Sequence, residues 1–136
     1  MVDPWEWLPH DYGADQPGGP INPEADAFEL FNCYTRDCSN VIPLRGRSPA
    51  VHPPVPNEGF DFVFIDGDHH SPGFDADVDF YFAAMAPRGV LMGDDYSESW
   101  PDVVRYLHSF ADRKSLQVRT LGDKLWMLVR RGASDT

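Results

Sequence analysis

Three carboxylates and one imidazole stand where this chain could do chemistry: Asp66, Asp94 and Asp95, with His69. Asp66 closes the apolar run Phe60-Asp61-Phe62-Val63-Phe64-Ile65, and Asp94-Asp95 close the run Val90-Leu91-Met92-Gly93. In open parallel sheets, ligands bind beyond the carboxyl ends of the strands, and neighbouring strands lie about 4.8 Å apart. Two such runs side by side would bring all three carboxylates to one rim. Like charges that close repel unless protons or a cation compensate them. Hard oxygen donors without a cysteine nearby favour Mg2+, Mn2+ or Ca2+ over zinc. A plainer alternative stays open, because Asp and Gly after a strand also serve as turn residues and helix caps. His69 follows Asp66 closely on the same rim, where an imidazole titrating near neutrality can act as a general base. A lone loop histidine is more often simply exposed. His70 is expected to face solvent, and His10, His52 and His108 belong to no constellation.

The elements that must position these groups are legible from patterning. Phe60–Ile65 is rich in aromatic and β-branched residues and reads as a strand buried on both faces. A helix is expected over 71–86, capped by Ser71 with Pro72 in its first turn. Phe74, Val78, Tyr81, Phe82 and Met85 share one of its faces. Pro87-Arg88-Gly89 is expected to stop it before a short strand over 90–92. A further helix is expected over 99–113, with Ser99 and Asp102 as a shortened capping box. Its stripe is Val103, Val104, Leu107 and Phe110. Strands over 116–120 and 124–130 then form an antiparallel hairpin about Leu121-Gly122-Asp123. The alternation predicts an α/β, Rossmann-like fold with a mainly parallel sheet covered on both faces and a C-terminal antiparallel hairpin. Upstream, residues 1–23 form a loop-rich segment of Pro, Gly and Asp. A helix is expected over 23–35 with Ala27, Phe28, Phe31 and Tyr34 as its stripe. A short strand over 40–44 and a proline-rich loop over 45–59 follow. The tail over 132–136 is expected to be flexible.

A length of 136 residues means one domain or part of one. Aspartate and glutamate number 22 against 11 lysines and arginines, a net charge of −11. That charge argues against nucleic acid and against an anionic membrane surface as partners. Cys33 and Cys38 have no second pair to complete a zinc site, and free thiols are expected. No apolar run approaches the ~18 residues of a membrane span, and no signal peptide is visible. The expected location is cytoplasmic.

With those residues in place, 60–130 resembles the C-terminal half of class I S-adenosylmethionine (SAM) methyltransferases. It looks closest to the metal-dependent O-methyltransferases of the catechol and macrocin sugar types. Phe60-Asp61-Phe62-Val63-Phe64-Ile65-Asp66-Gly67-Asp68-His69 is similar to that family's fourth strand and loop. Val90-Leu91-Met92-Gly93-Asp94-Asp95-Tyr96 is similar to its fifth, and Leu125-Trp126-Met127-Leu128-Val129 to its last. The resemblance implies SAM as cofactor and Mg2+ (or Mn2+ or Ca2+) held by Asp66, Asp94 and Asp95. It implies a small-molecule or sugar hydroxyl as substrate and His69, with Asp66, as the catalytic pair. It also implies SAM contacts at Asp66, Gly67 and Asp68. Gly46-Arg47-Ser48 resembles the Gly-x-Ser after the third strand, which would set Ser48 at the adenine. Met1-Val2-Asp3-Pro4-Trp5 resembles the end of the second strand, which would set Asp3 at the ribose hydroxyls.

The chain departs from that family in one respect. The first strand and its glycine-rich turn, which bring backbone N–H groups to the methionine part of SAM, have no counterpart. The fold is therefore expected to be incomplete at its N-terminus. Strand closure, a strand from a second copy or a partner chain, or natural sequence upstream of Met1 would each compensate, and the last, or a degenerate gene, is the favoured expectation. A rival reading is a non-catalytic binding or assembly module on a degenerate methyltransferase scaffold. A third is an Asp-His-His phosphoesterase, suggested by Asp68-His69-His70 but lacking that family's upstream elements.

Overall fold

The computed structural model describes residues 1–5 and 27–131. Most of the expected N-terminal loop, the start of the helix expected at Pro23 and the tail over 132–136 lie outside the described residues. The chain divides into two compact units, Met1–Pro53 and Pro54–Thr136.

In the first unit, β1 (Val2–Asp3) and β2 (Leu44–Arg45) pair in parallel, Val2 opposite Leu44. The expected strand over 40–44 is thus only two residues long and displaced. Pro43, which has no N–H for a ladder, sits immediately before it. Helix α1 (Ala27–Thr35) lies between the two strands in sequence. Phe28 and Phe31 are half-buried, with the Trp5 ring 5.5 and 4.6 Å from theirs. Tyr34, expected in the same stripe, is 83% exposed. At 3.6 residues per turn it stands roughly 120° round the helix from Phe28. Cys33 and Cys38 are both free and exposed.

The second unit runs β3 (Phe60–Ile65), α2 (Gly73–Ala83), β4 (Met85–Gly93), α3 (Pro101–Lys114), β5 (Leu116–Leu121) and β6 (Leu125–Arg130). Its sheet has the order β3-β4-β6-β5. The β3–β4 pair is parallel, and the terminal hairpin joins β4 in antiparallel fashion. This is the expected α/β, Rossmann-like architecture with its C-terminal antiparallel hairpin, although in this sheet the parallel pairing expected to dominate is confined to β3–β4. One core forms between the sheet and the helices. Ile65, Leu91, Leu116, Trp126 and Leu128 come from the strands, and Phe74, Val78, Tyr81, Val103, Leu107 and Phe110 from α2 and α3.

Several expectations need correction. β3 is not buried on both faces: Phe62 is 58% and Phe64 44% exposed, alternating with the inward Val63 and Ile65. Both helices of this unit share one core, so strand positions of the other parity stay outside it. Helix α2 ends at Ala83, and Met85 already opens β4 opposite Phe60. Pro87-Arg88-Gly89 therefore lies inside a strand. The register slips there, from Phe60 opposite Met85 to Phe62 opposite Val90. This irregular stretch of β4 is not yet paired to β6, which tolerates a proline. Ser71 does not cap α2, since its hydroxyl donates to the Asp75 carboxylate at 2.7 Å. The Ser99–Asp102 box does not form either. Trp100 is the residue at the cap of α3, and Pro101 occupies the first helical turn.

Candidate functional site

The parallel register brings Ile65 opposite Gly93, so β3 and β4 end together. The Asp94 N–H donates to the Ile65 carbonyl at 3.1 Å and continues the ladder one step past the strand. Asp66 and the Asp94–Asp95 pair thus leave the sheet at one rim. Beyond it, Asp66, His69 and Asp95 each offer a ligand atom, and these atoms lie within 4.8 Å of one another. The His69 Nε2 approaches the Asp95 Oδ2 to 2.6 Å, with side chains 28% and 17% exposed. That approach is close but not aligned as a hydrogen bond, and the buried Nε2 has no hydrogen-bond partner among the described residues. A buried polar nitrogen without an aligned partner is costly to leave in that state.

Asp94 takes a different part. Its Oδ1 accepts the Asp95 N–H at 2.7 Å, and its carbonyl accepts the Trp126 indole N–H at 2.9 Å. Asp95 is in the left-handed region, with φ 65°, which aspartate tolerates better than most residues. The turn folds Asp94 back on the backbone while Asp95 reaches His69. The two adjacent acids, equivalent in the sequence, are not equivalent in space.

The loop after β3 is built around Asp68. Its Oδ1 accepts the His70 N–H at 2.9 Å, and a side chain at Gly73 would collide with its carboxylate. Its observed role is therefore to shape the turn. Gly67 is exposed, and a Cβ there would lie 3.4 Å from Oδ2 of Asp77. Asp3 and Ser48 belong to the other unit. The Asp3 carboxylate accepts the Trp5 N–H, and Ser48 is half-buried in the loop after β2.

Two residues near the site, Asp77 and Trp100, were not singled out from the sequence, and a third, Asp102, was singled out only for a capping box. Asp77 is 3% exposed on α2. It stands three residues after Phe74 and four before Tyr81, and an acid on an apolar face was the signal. Trp100 stacks on His69, ring centroids 4.5 Å apart and planes 23° apart, and meets His70 edge-on at 5.5 Å. Asp102 accepts the Ser71 N–H at 3.0 Å and pairs with Arg105 at 2.8 Å. The Ser71 N–H, more than the Arg105 guanidinium, holds the Asp102 carboxyl below the usual carboxylate range, against an opposing desolvation. His108 lies apart from the cluster, its Nε2 2.7 Å from the Tyr96 hydroxyl. A cleft of 170 Å³ lined by Phe82, Met85, Leu116 and Leu128 sits toward the opposite end of β4 and is lined by no acid or histidine.

A family described as a methyltransferase domain matches residues 2–96, well over half of the chain. The chain belongs to that family. The matched span of this methyltransferase domain takes in Asp3, Ser48, the loop 66–70 and the Asp94–Asp95 turn, whereas α3 and the hairpin lie beyond it. Neither the curated proteins nor the solved structures give a match. Among the described residues of the methyltransferase domain, no helix is long and apolar enough to cross a membrane.

Proposed function

We propose that this methyltransferase domain transfers the methyl group of S-adenosylmethionine to a hydroxyl oxygen of a small molecule or sugar, with a divalent cation at the rim. The observation that supports this reading is the convergence of Asp66, His69 and Asp95. Their donor set suits a divalent ion: two carboxylates with an imidazole nearby. Asp66 and Asp95 would hold the ion, Mg2+ or its relatives Mn2+ and Ca2+. Such a cation supplies Lewis acidity that makes a nearby hydroxyl easier to deprotonate.

His69 is the base of this reading. The Asp95 carboxylate against Nε2 orients the imidazole and leaves Nδ1 to take the hydroxyl proton. Asp94 acts through the backbone, keeping the turn that presents Asp95. By resemblance, the loop 66–68 would contact the methyl donor. Holding donor and hydroxyl in line supplies much of the rate acceleration. A second reading is a binding module without catalysis on the same scaffold. In it, a second copy or a partner chain would add a strand at β3, which among the described residues is paired with β4 alone.

Calorimetry with S-adenosylmethionine, with and without Mg2+ or Mn2+, separates the readings. Heat of binding, together with divalent-dependent methylation of a catechol probe that is lost in Asp66→Ala and His69→Ala, is the expected result. No heat under either condition refutes the enzyme reading and favours the module. A wild-type melting temperature unmoved by Mg2+ or Mn2+ refutes the cation.

A further inference from the structure

The N-terminal end of α3 grips the loop that carries His69, and it does so at three consecutive residues. The Trp100 indole stacks face-on against His69 and meets His70 edge-on. The Asp102 carboxylate accepts the backbone N–H of Ser71. Trp100 is itself well fixed. Its N–H donates to the Ser97 carbonyl at 3.0 Å, and its own carbonyl accepts the Val103 N–H at 3.1 Å, opening the helix. Pro101 presets the first helical φ, and the half-buried indole packs against the core. The far end of α3 is anchored by Leu107 and Phe110, which are 0% and 1% exposed.

An imidazole on a loop has two soft torsions, and proton transfer tolerates little error in its orientation. Asp95 constrains one ring nitrogen but leaves the ring free to rotate about that contact. A stacked indole removes that freedom, because rotation would break face-to-face contact. We infer that Trp100 is a positioning residue for His69. Its indole holds the imidazole plane so that Nε2 stays against Asp95, while Asp102 clamps the neighbouring backbone. This inference rests on the role given to His69 under the proposed function only for its purpose, not for its geometry.

The test uses the full chain, without methyl donor, and reads the His69 ring by long-range 1H–15N correlation at a pH where the imidazole is neutral. In the wild type, His69 is expected to hold the Nε2–H tautomer facing Asp95, and its ring protons to be shifted upfield by the indole. In Trp100→Leu the upfield shift disappears, and the ratio of Nε2–H to Nδ1–H tautomers falls about two- to tenfold, the range that loss of an aromatic pair allows. Trp100→Phe restores most of both. Asp102→Ala, which leaves the core intact, lowers the ratio in the same direction and decides the matter should Trp100→Leu fail to fold. An unchanged tautomer ratio in folded Trp100→Leu or in Asp102→Ala overturns the inference, as does Trp100→Phe behaving like the leucine variant. Because no turnover is measured, a failure of His69 as base would show only in the methylation assay and leave this readout untouched.

Discussion

Replacing Gly93 with alanine perturbs the seam between β3 and β4 one residue before the Asp94–Asp95 turn. The new Cβ would lie 2.6 and 2.8 Å from Cζ2 and Cε2 of Trp126, and closer still to the Ile65 carbonyl oxygen. Neither neighbour can give way cheaply. Trp126 is 0% exposed and tied to the Asp94 carbonyl, and the Ile65 oxygen accepts the Asp94 N–H. Overpacking of this kind costs about 1–3 kcal/mol, and the weakened Asp94–Ile65 hydrogen bond adds about 1 kcal/mol. A loss of about 2–4 kcal/mol corresponds to a melting temperature lower by roughly 10–25 °C for a unit the size of 54–136. Gly122→Ala is the control. Gly122 has φ 61° but no atom within 4 Å of an added Cβ, so only left-handed strain of about 1–2 kcal/mol applies. Thermal melts followed by circular dichroism compare the two. If Gly93→Ala melts no lower than Gly122→Ala, the claim that a close strand seam delivers Asp66 and Asp95 to one rim is wrong.

Two further predictions concern pH. The Tyr106 hydroxyl is pushed up to about 12, first by burial and then by the hydrogen bond and charge of Asp79. The folded state thus keeps a proton that the unfolded chain releases near 10.0, so stability is lost as pH rises from 10 towards 12. Denaturant melts of Tyr106→Phe should lose less stability over that interval than the wild type, and equal slopes would count against the assignment. Asp102 is shifted the other way, below its ordinary 3.8. Its contribution is present above 3.8 and fades as pH falls through the folded value. The melting-temperature gap between wild type and Asp102→Asn should therefore narrow on acidification below that point. A gap that stays constant down to about pH 2 contradicts the Ser71–Asp102 contact.

Patterning along the chain was a good guide to the order of elements in the second unit. Apolar runs of six and four residues with turn chemistry after them mark β3 and the end of β4, and a 3.6-residue stripe marks α3. Boundaries were less legible where local signals competed with pairing. Pro87-Arg88-Gly89 carries a stop signal for a helix, yet parallel pairing with β3 draws Met85 onward into β4. Ser71 and Ser99 look like caps, but the hydroxyl of Ser71 meets Asp75 and α3 starts later, at Pro101. Exposure of Phe62 and Phe64 had no local signal at all, because it depends on which face both helices choose.

From residue types and spacing alone came the strand-end acids, the histidine beside them and the α/β alternation that puts them on one rim. Those follow because strand direction and the two-residue and 3.6-residue periods are local properties of a chain. Which carboxylate joins His69, and what holds the imidazole in place, could not come from spacing. Asp94 and Asp95 differ only through a left-handed turn and a hydrogen bond back to the first of them. Trp100 reaches His69 only because α3 packs on the sheet beside the loop. Contacts between distant parts of the chain are set by packing, and packing exists only once the tertiary structure has formed.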